Sequence, residues 1–219
     1  VFVLACAVRA LRGQGRQPCS MLIHVTRYTA VQEEVRRQVE DLVKSYRQRV
    51  ERGFEKDKLM AEWRDLWESD FAPTSAAVAT AMGETSGEFN LPRWEEVEAV
   101  LADVLGDLAN SVRAINGSAG DVLDYAEREE TGLKVIAVGG DKLARGLTLE
   151  GLCVSYFVRT TKMYDTLMQM GRWFGYRPGY LDLCRLYTTS DLVEWFGHIA
   201  DAAEELRQEF DIMAKVHAT

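Results

Sequence analysis

An α/β fold, an open parallel sheet covered by helices and carrying a helical insertion, is what three features of the sequence predict. Apolar runs of strand length recur at Met21–Val25, Val135–Val138 and Leu152–Val158, each followed by a polar or glycine-bearing turn. Between such runs lie stretches whose apolar residues repeat at helical spacing, and strands alternating with helices favour parallel pairing. The stretch from about 51 to 110 shows helical spacing without a strand pattern, so it reads as a helical insertion in a single domain spanning 1–219.

Taken in order, Val1–Val8 is an apolar stretch that reads as a buried helix or strand. It is too short to cross a bilayer and has neither the basic start nor the cleavage site of a secretory signal. The chain opens without Met and reads as part of a longer protein. Met21–Val25 reads as a buried strand running into a helix N-terminus at Thr26-Arg27-Tyr28-Thr29. That helix should run from about Ala30 to Arg49, with Val31, Val35, Val39, Leu42, Val43 and Tyr46 on one face. Leu59, Trp63, Leu66 and Trp67 repeat the pattern over 56–70. Residues 72–90 hold Pro73, Gly83 and Gly87 and read as a loop. Pro92 suits the first turn of a helix whose stripe is Trp94, Val97, Leu101, Val104, Leu105 and Leu108. A short strand over 112–115 ends at the turn pair Asn116-Gly117. A last strand over 184–187 and a closing helix over 190–215, capped by Thr189 or Ser190, complete the chain. Trp63, Trp67 and Trp94 read as core or partner-facing residues.

The net charge is -8, which taken alone argues against a nucleic-acid partner. Its distribution changes that reading. Residues 1–27 carry four arginines and no acid, and 134–187 carry eight Lys or Arg against four Asp or Glu. The acid concentrates in 28–133 and 188–219, in helical stretches expected to face water. A locally basic surface can still hold phosphates. The four cysteines and three histidines are dispersed, without the clustered spacing of a disulfide framework or a metal site, and read as reduced structural thiols in a cytoplasm.

The segment from Gly139 to Arg177 carries the chemistry. Val135–Val138 leads into Gly139-Gly140-Asp141 and then Arg145-Gly146-Leu147-Thr148. A glycine at 146 lets the backbone approach a phosphate or ribose closely. After the run 152–158 comes a helix-like stretch ending in Gln169-Met170-Gly171-Arg172, with Arg177 five residues on. Two guanidinium groups beside a glycine turn suit bidentate contact with phosphate. The plainer alternative is that one arginine pairs with Asp165 or Asp182 and shapes the fold. Thr26-Arg27, at a helix start, offers backbone N–H groups and a hydroxyl to a phosphate, and an N-cap is the plainer reading there. The sequence contains no G-x-x-x-x-G-K-[ST] loop, no D…(D/E)-x-K constellation and no cluster of metal ligands.

The order strand, glycine turn, strand, helix, arginine pair resembles motifs V and VI of the second RecA-like domain of superfamily-two helicases. The segments MLIHVTRYTAVQ, GGDKLARGLTLEGLCVSYF and YDTLMQMGRWFGYRPGY resemble the Z1 domain over about 1–189. That family lies C-terminal to a DEAD-like ATPase domain in bacterial restriction and defence proteins. The resemblance implies a RecA-like sheet that serves ATP and magnesium held mainly by the other domain, double-stranded DNA, and a separate nuclease subunit. It implies Arg172 and Arg177 as catalytic arginines, and Asp141, Arg145, Gly146, Thr148, Gln169 and Gly171 at the nucleotide. It implies Thr26, Arg27, Asn116 and Gly117 at the DNA backbone, Asn116-Gly117 resembling the His-Gly turn of helicases. Three departures stand out: Thr148 replaces a common Asp, Gln169 lies two rather than three residues before Gly171, and Arg177 is two residues beyond the usual spacing. Members often carry an endonuclease label, but the residues favour a motor part over a cutting part. A subunit-docking module, placed on the helical insertion, is the competing reading.

Overall fold

The computed structural model describes residues 1–83, 87–115, 132–140, 149–158 and 177–217. Five strands form one sheet in the order β2-β3-β1-β4-β5, every neighbouring pair parallel. They are β1 (Cys19–His24), β2 (Val112–Ile115), β3 (Lys134–Gly139), β4 (Leu152–Phe157) and β5 (Arg185–Thr188). β3 is buried at every residue and β4 at all but Tyr156, as expected of strands covered on both faces.

The helices are α1 (Phe2–Arg9), α2 (Thr29–Arg52), α3 (Lys56–Leu66), α4 (Ala72–Ala81), α5 (Trp94–Leu108) and α6 (Ser190–His217). The larger core joins α1, α3 and α5 to one face of the sheet through Leu4, Leu59, Leu101, Ile136 and Val138. On the other face Leu22, Ala137 and Phe157 meet Leu192, with Trp195, Phe196 and Ile199 of α6 packed against them. Among the described residues no helix is long and apolar enough to cross a membrane.

The insertion between β1 and β2 is helical, as its sequence predicts, and Trp63, Trp67 and Trp94 are core residues. Two expectations are corrected. Residues 72–81 form α4 rather than a loop, because Pro73 occupies the first turn, where its missing N–H costs nothing. Pro92 lies ahead of α5, whose first turn instead starts at Trp94, with the Arg93 N–H donating to the Glu96 carboxylate at 2.8 Å. On α2 the buried stripe is narrower than its pattern suggests. Val43 is buried and Val35, Val39 and Tyr46 pack on the core, but Val31 and Leu42 are exposed.

Two ion pairs, the first buried and the second half-buried, tie the α1 end to the turn before β5 and the insertion to β5 itself. Asp182, fully buried, accepts from both Arg12 terminal nitrogens at 2.8 Å and from the Ser75 hydroxyl at 2.5 Å. Asp70 accepts from Arg185 Nε at 3.0 Å.

Candidate phosphate-contact sites at two ends of the sheet

The carboxyl ends of the strands fall in one row. Ile115 pairs with Gly139, Gly139 with His24, His24 with Phe157, and Phe157 with Thr188. The chain leaves β1 toward β2 and leaves β4 toward β5, so the connections diverge at the β1/β4 boundary. Open α/β sheets bind ligands at that kind of switch point, outside the carboxyl ends. Here it is marked by the His24 ring stacked on Phe157, with centroids 4.8 Å apart.

The turn after β1 is held by its own side chains. Thr26 Oγ1 accepts the Tyr28 N–H at 3.2 Å, and the Thr26 carbonyl accepts from Nε2 of the buried Gln32 at 2.8 Å. Tyr28 precedes α2, and its carbonyl takes the first helical N–H bonds, from Val31 at 3.1 Å and Gln32 at 3.0 Å. Arg27 is exposed. Its guanidinium lies over the Tyr28 ring at 5.2 Å from the centroid, with Nη2 3.3 Å from the Tyr28 hydroxyl. This places a cation and an exposed aromatic face together at a helix start, a combination suited to phosphate and base contact.

The turn after β3 closes directly on this one. A Cβ added at Gly140 would lie 2.5 Å from the Thr26 carbonyl oxygen and 3.3 Å from the Arg27 Cα. Two of the three strand-end turns singled out in the sequence are therefore neighbours. The third, Asn116-Gly117, follows Ile115 directly and lies outside the described residues. Sequence reasoning missed Tyr28 and Gln32. An aromatic beside a strand-end arginine was the available signal for the first, and nothing in the sequence pointed to the second.

Arg177 lies at the opposite end. Its Nε donates to the carbonyl of Leu152, the first residue of β4, at 3.0 Å. It lines a cavity of about 230 Å³ with Cys153, Ser155, Cys184 and Arg185. A six-residue strand spans roughly 17–20 Å, so Arg177 and the Thr26-Arg27 turn belong to separate sites. Asp182, the alternative partner read for an arginine of this segment, is bound by Arg12 instead. Burial pushes the Cys184 thiol up to about 11, although Arg177 opposes the shift. The remaining residues read as nucleotide contacts, Asp141, Arg145, Gly146, Thr148, Gln169, Gly171 and Arg172, lie outside the described residues. Among those described, no group of side chains could hold a metal ion.

Comparison with curated proteins and with solved structures returns no match. The family model of the Z1 domain matches residues 1–219, and the chain therefore belongs to the Z1 domain family.

Proposed function

We propose that this chain is the second, RecA-like part of an ATP-driven DNA motor, working with a phosphate-loop domain and a nuclease subunit in a restriction or defence system. The observation that carries the reading is the contact between the Gly139-Gly140 turn and the Thr26-Arg27 turn at the aligned strand ends. The Thr26-Arg27 segment, read as a phosphate contact, thereby shares one surface with the turn that leads in sequence to Asp141, and Arg27 is exposed on it. Its donors are N–H groups, a hydroxyl and a guanidinium, which suit a DNA backbone and not a cation.

ATP hydrolysis would supply the energy for movement, with magnesium held by the partner domain. The part of this chain is to present the guanidinium of Arg172 to phosphate oxygens, while Arg177, held by the Leu152 carbonyl at the amino end of β4, would act apart from the strand-end surface. The donor chemistry fits that task, since a planar guanidinium matches phosphate with two N–H groups.

DNA binding by the full motor tests the reading. Arg27→Glu should weaken binding independently of sequence and flatten its dependence on salt, because each lost phosphate contact releases fewer counterions. Unchanged affinity across a salt series would remove the DNA path from Arg27.

A second reading, a subunit-docking surface, is favoured by one observation. The insertion's tryptophans are buried, but the outer half of α6 exposes Leu206, Phe210 and Met213 at helical spacing. Replacing these three with polar residues should then abolish nuclease association and leave DNA binding intact.

A further inference from the structure

Cysteines that are far apart in the sequence meet in the core. Cys6 on α1 lies with its Sγ 3.3 Å from that of Cys19 on β1, and Cys19 Sγ is 3.6 Å from that of Cys153 on β4. All three are free thiols and all are buried. Beside them is Arg9, only 2% exposed. Its guanidinium donates to Gln14 Oε1 at 3.0 Å, to the Pro18 carbonyl at 2.6 Å and to Gln17 Oε1 at 3.3 Å, and lies 4.1 Å from the Tyr180 ring centroid. Its Nη1 is also 3.7 Å from Cys153 Sγ. Among the described residues no carboxylate pairs with it, although a buried charge needs a counter-charge. The sulfur atoms are the ionisable groups at hand.

A buried cation repels a metal ion and favours a thiolate, so the trio suits thiol chemistry rather than metal binding. Hydrogen bonds from Cys153 and Cys6, together with Arg9, hold the Cys19 thiol well below its ordinary value, and the same bond to Cys19, together with burial, holds the Cys153 thiol well above it. Access comes from one side, because Cys153 lines the cavity of about 230 Å³ beside Arg177.

We propose that Cys153 and Cys19 form an oxidation site that couples β4 to β1, with a small peroxide as the oxidant. Peroxide enters by the cavity that Cys153 lines, and the Cys19 thiolate, with its sulfur 3.6 Å from that of Cys153, attacks it: an S–O bond forms, the O–O bond breaks, and hydroxide leaves. The proton that Cys19 lost on ionising converts this hydroxide to water. The Cys153 thiol then attacks the Cys19 sulfenic acid: the S–S bond forms, the S–O bond breaks, and the leaving hydroxide takes the Cys153 proton to become the second water. Two thiols and hydrogen peroxide thus become a disulfide and two waters. β1 and β4 are adjacent parallel strands, and their register shifts between Ser20 and Met21, opposite Cys153. The bond would staple β1 to β4 at their amino ends.

The folded chain is treated with a few equivalents of hydrogen peroxide well below its melting temperature, then denatured, alkylated and mapped by peptide mass spectrometry. The expected product is a Cys19–Cys153 cross-link, with Cys6 and Cys184 recovered as alkylated thiols and a higher Tm that a reductant reverses. Cys6→Ser should keep the cross-link, while Cys153→Ser should lose it and leave Cys19 as a sulfenic acid that dimedone traps. A Cys6–Cys19 cross-link instead, or full recovery of all thiols in the wild-type chain, overturns the proposal without bearing on the motor reading.

Discussion

Gly140 and Thr26 sit so close that no side chain can stand between them. A Cβ at Gly140 would lie 2.5 Å from the Thr26 carbonyl oxygen and 2.7 Å from Gln32 Nε2. The backbone must shift to admit it. Gly140→Ala should therefore cost about 1–3 kcal/mol, the range for overpacking a tight site, and weaken DNA binding by the full motor. Chemical denaturation and a DNA titration check both. Wild-type stability and affinity would show the two turns to be loosely joined.

The second prediction concerns the Arg12–Asp182 pair. Arg12 reaches Asp182 with two nitrogens, and the carboxylate is fully buried with the Ser75 hydroxyl at 2.5 Å. Asp182→Asn leaves the guanidinium short of its counter-charge, and breaking a buried pair costs about 3–5 kcal/mol. The melting temperature should fall sharply, whereas the double variant Arg12→Met with Asp182→Leu should recover part of the loss. A single variant that melts like wild type would make the pair incidental.

A third prediction follows from Cys184, whose thiol burial pushes up to about 11 from the ordinary 9.0. Between those values the unfolded chain has released this proton and the folded chain keeps it. The folded state then binds more protons, so stability is full below pH 9 and falls as pH rises toward 11. The loss is on the order of 2 kcal/mol. Burial moves Tyr180 and Tyr187 in the same direction and adds to the fall. Denaturation midpoints for wild type and Cys184→Ala from pH 8 to 11 isolate the cysteine's share, and parallel curves would contradict it.

Much of the fold is legible in the sequence. A parallel strand covered on both faces must be apolar along its length, and that is how β1, β3 and β4 read. Thr189 was readable as a cap because its hydroxyl can accept an early helical N–H, which Leu192 donates at 3.4 Å. α4 was not readable, since its small apolar residues form no stripe and Pro73 looks like a breaker. Strand order was not readable either, because it depends on contacts between distant segments. The same limit hides the meeting of Cys19 with Cys153 and of Arg12 with Asp182, residues that spacing alone cannot place together. At the candidate site the strand-end turn was legible from Thr26-Arg27. Its closure by Gly140 depends on the fit of two backbones, which no single residue announces.

The central claim is that this chain supplies phosphate-contacting arginines to an ATP-driven motor. The most direct test is DNA-stimulated ATP turnover by the protein that joins it to its phosphate-loop domain, wild type against Arg172→Ala, at saturating DNA and with melting curves as the control for folding. A guanidinium that meets charge developing in the transition state acts on kcat more than on KM. The expected result is a loss of about 10²-fold or more in kcat with little change in KM, not rescued by Arg172→Lys. A well-folded Arg172→Ala protein with near wild-type kcat would contradict the motor reading and favour docking.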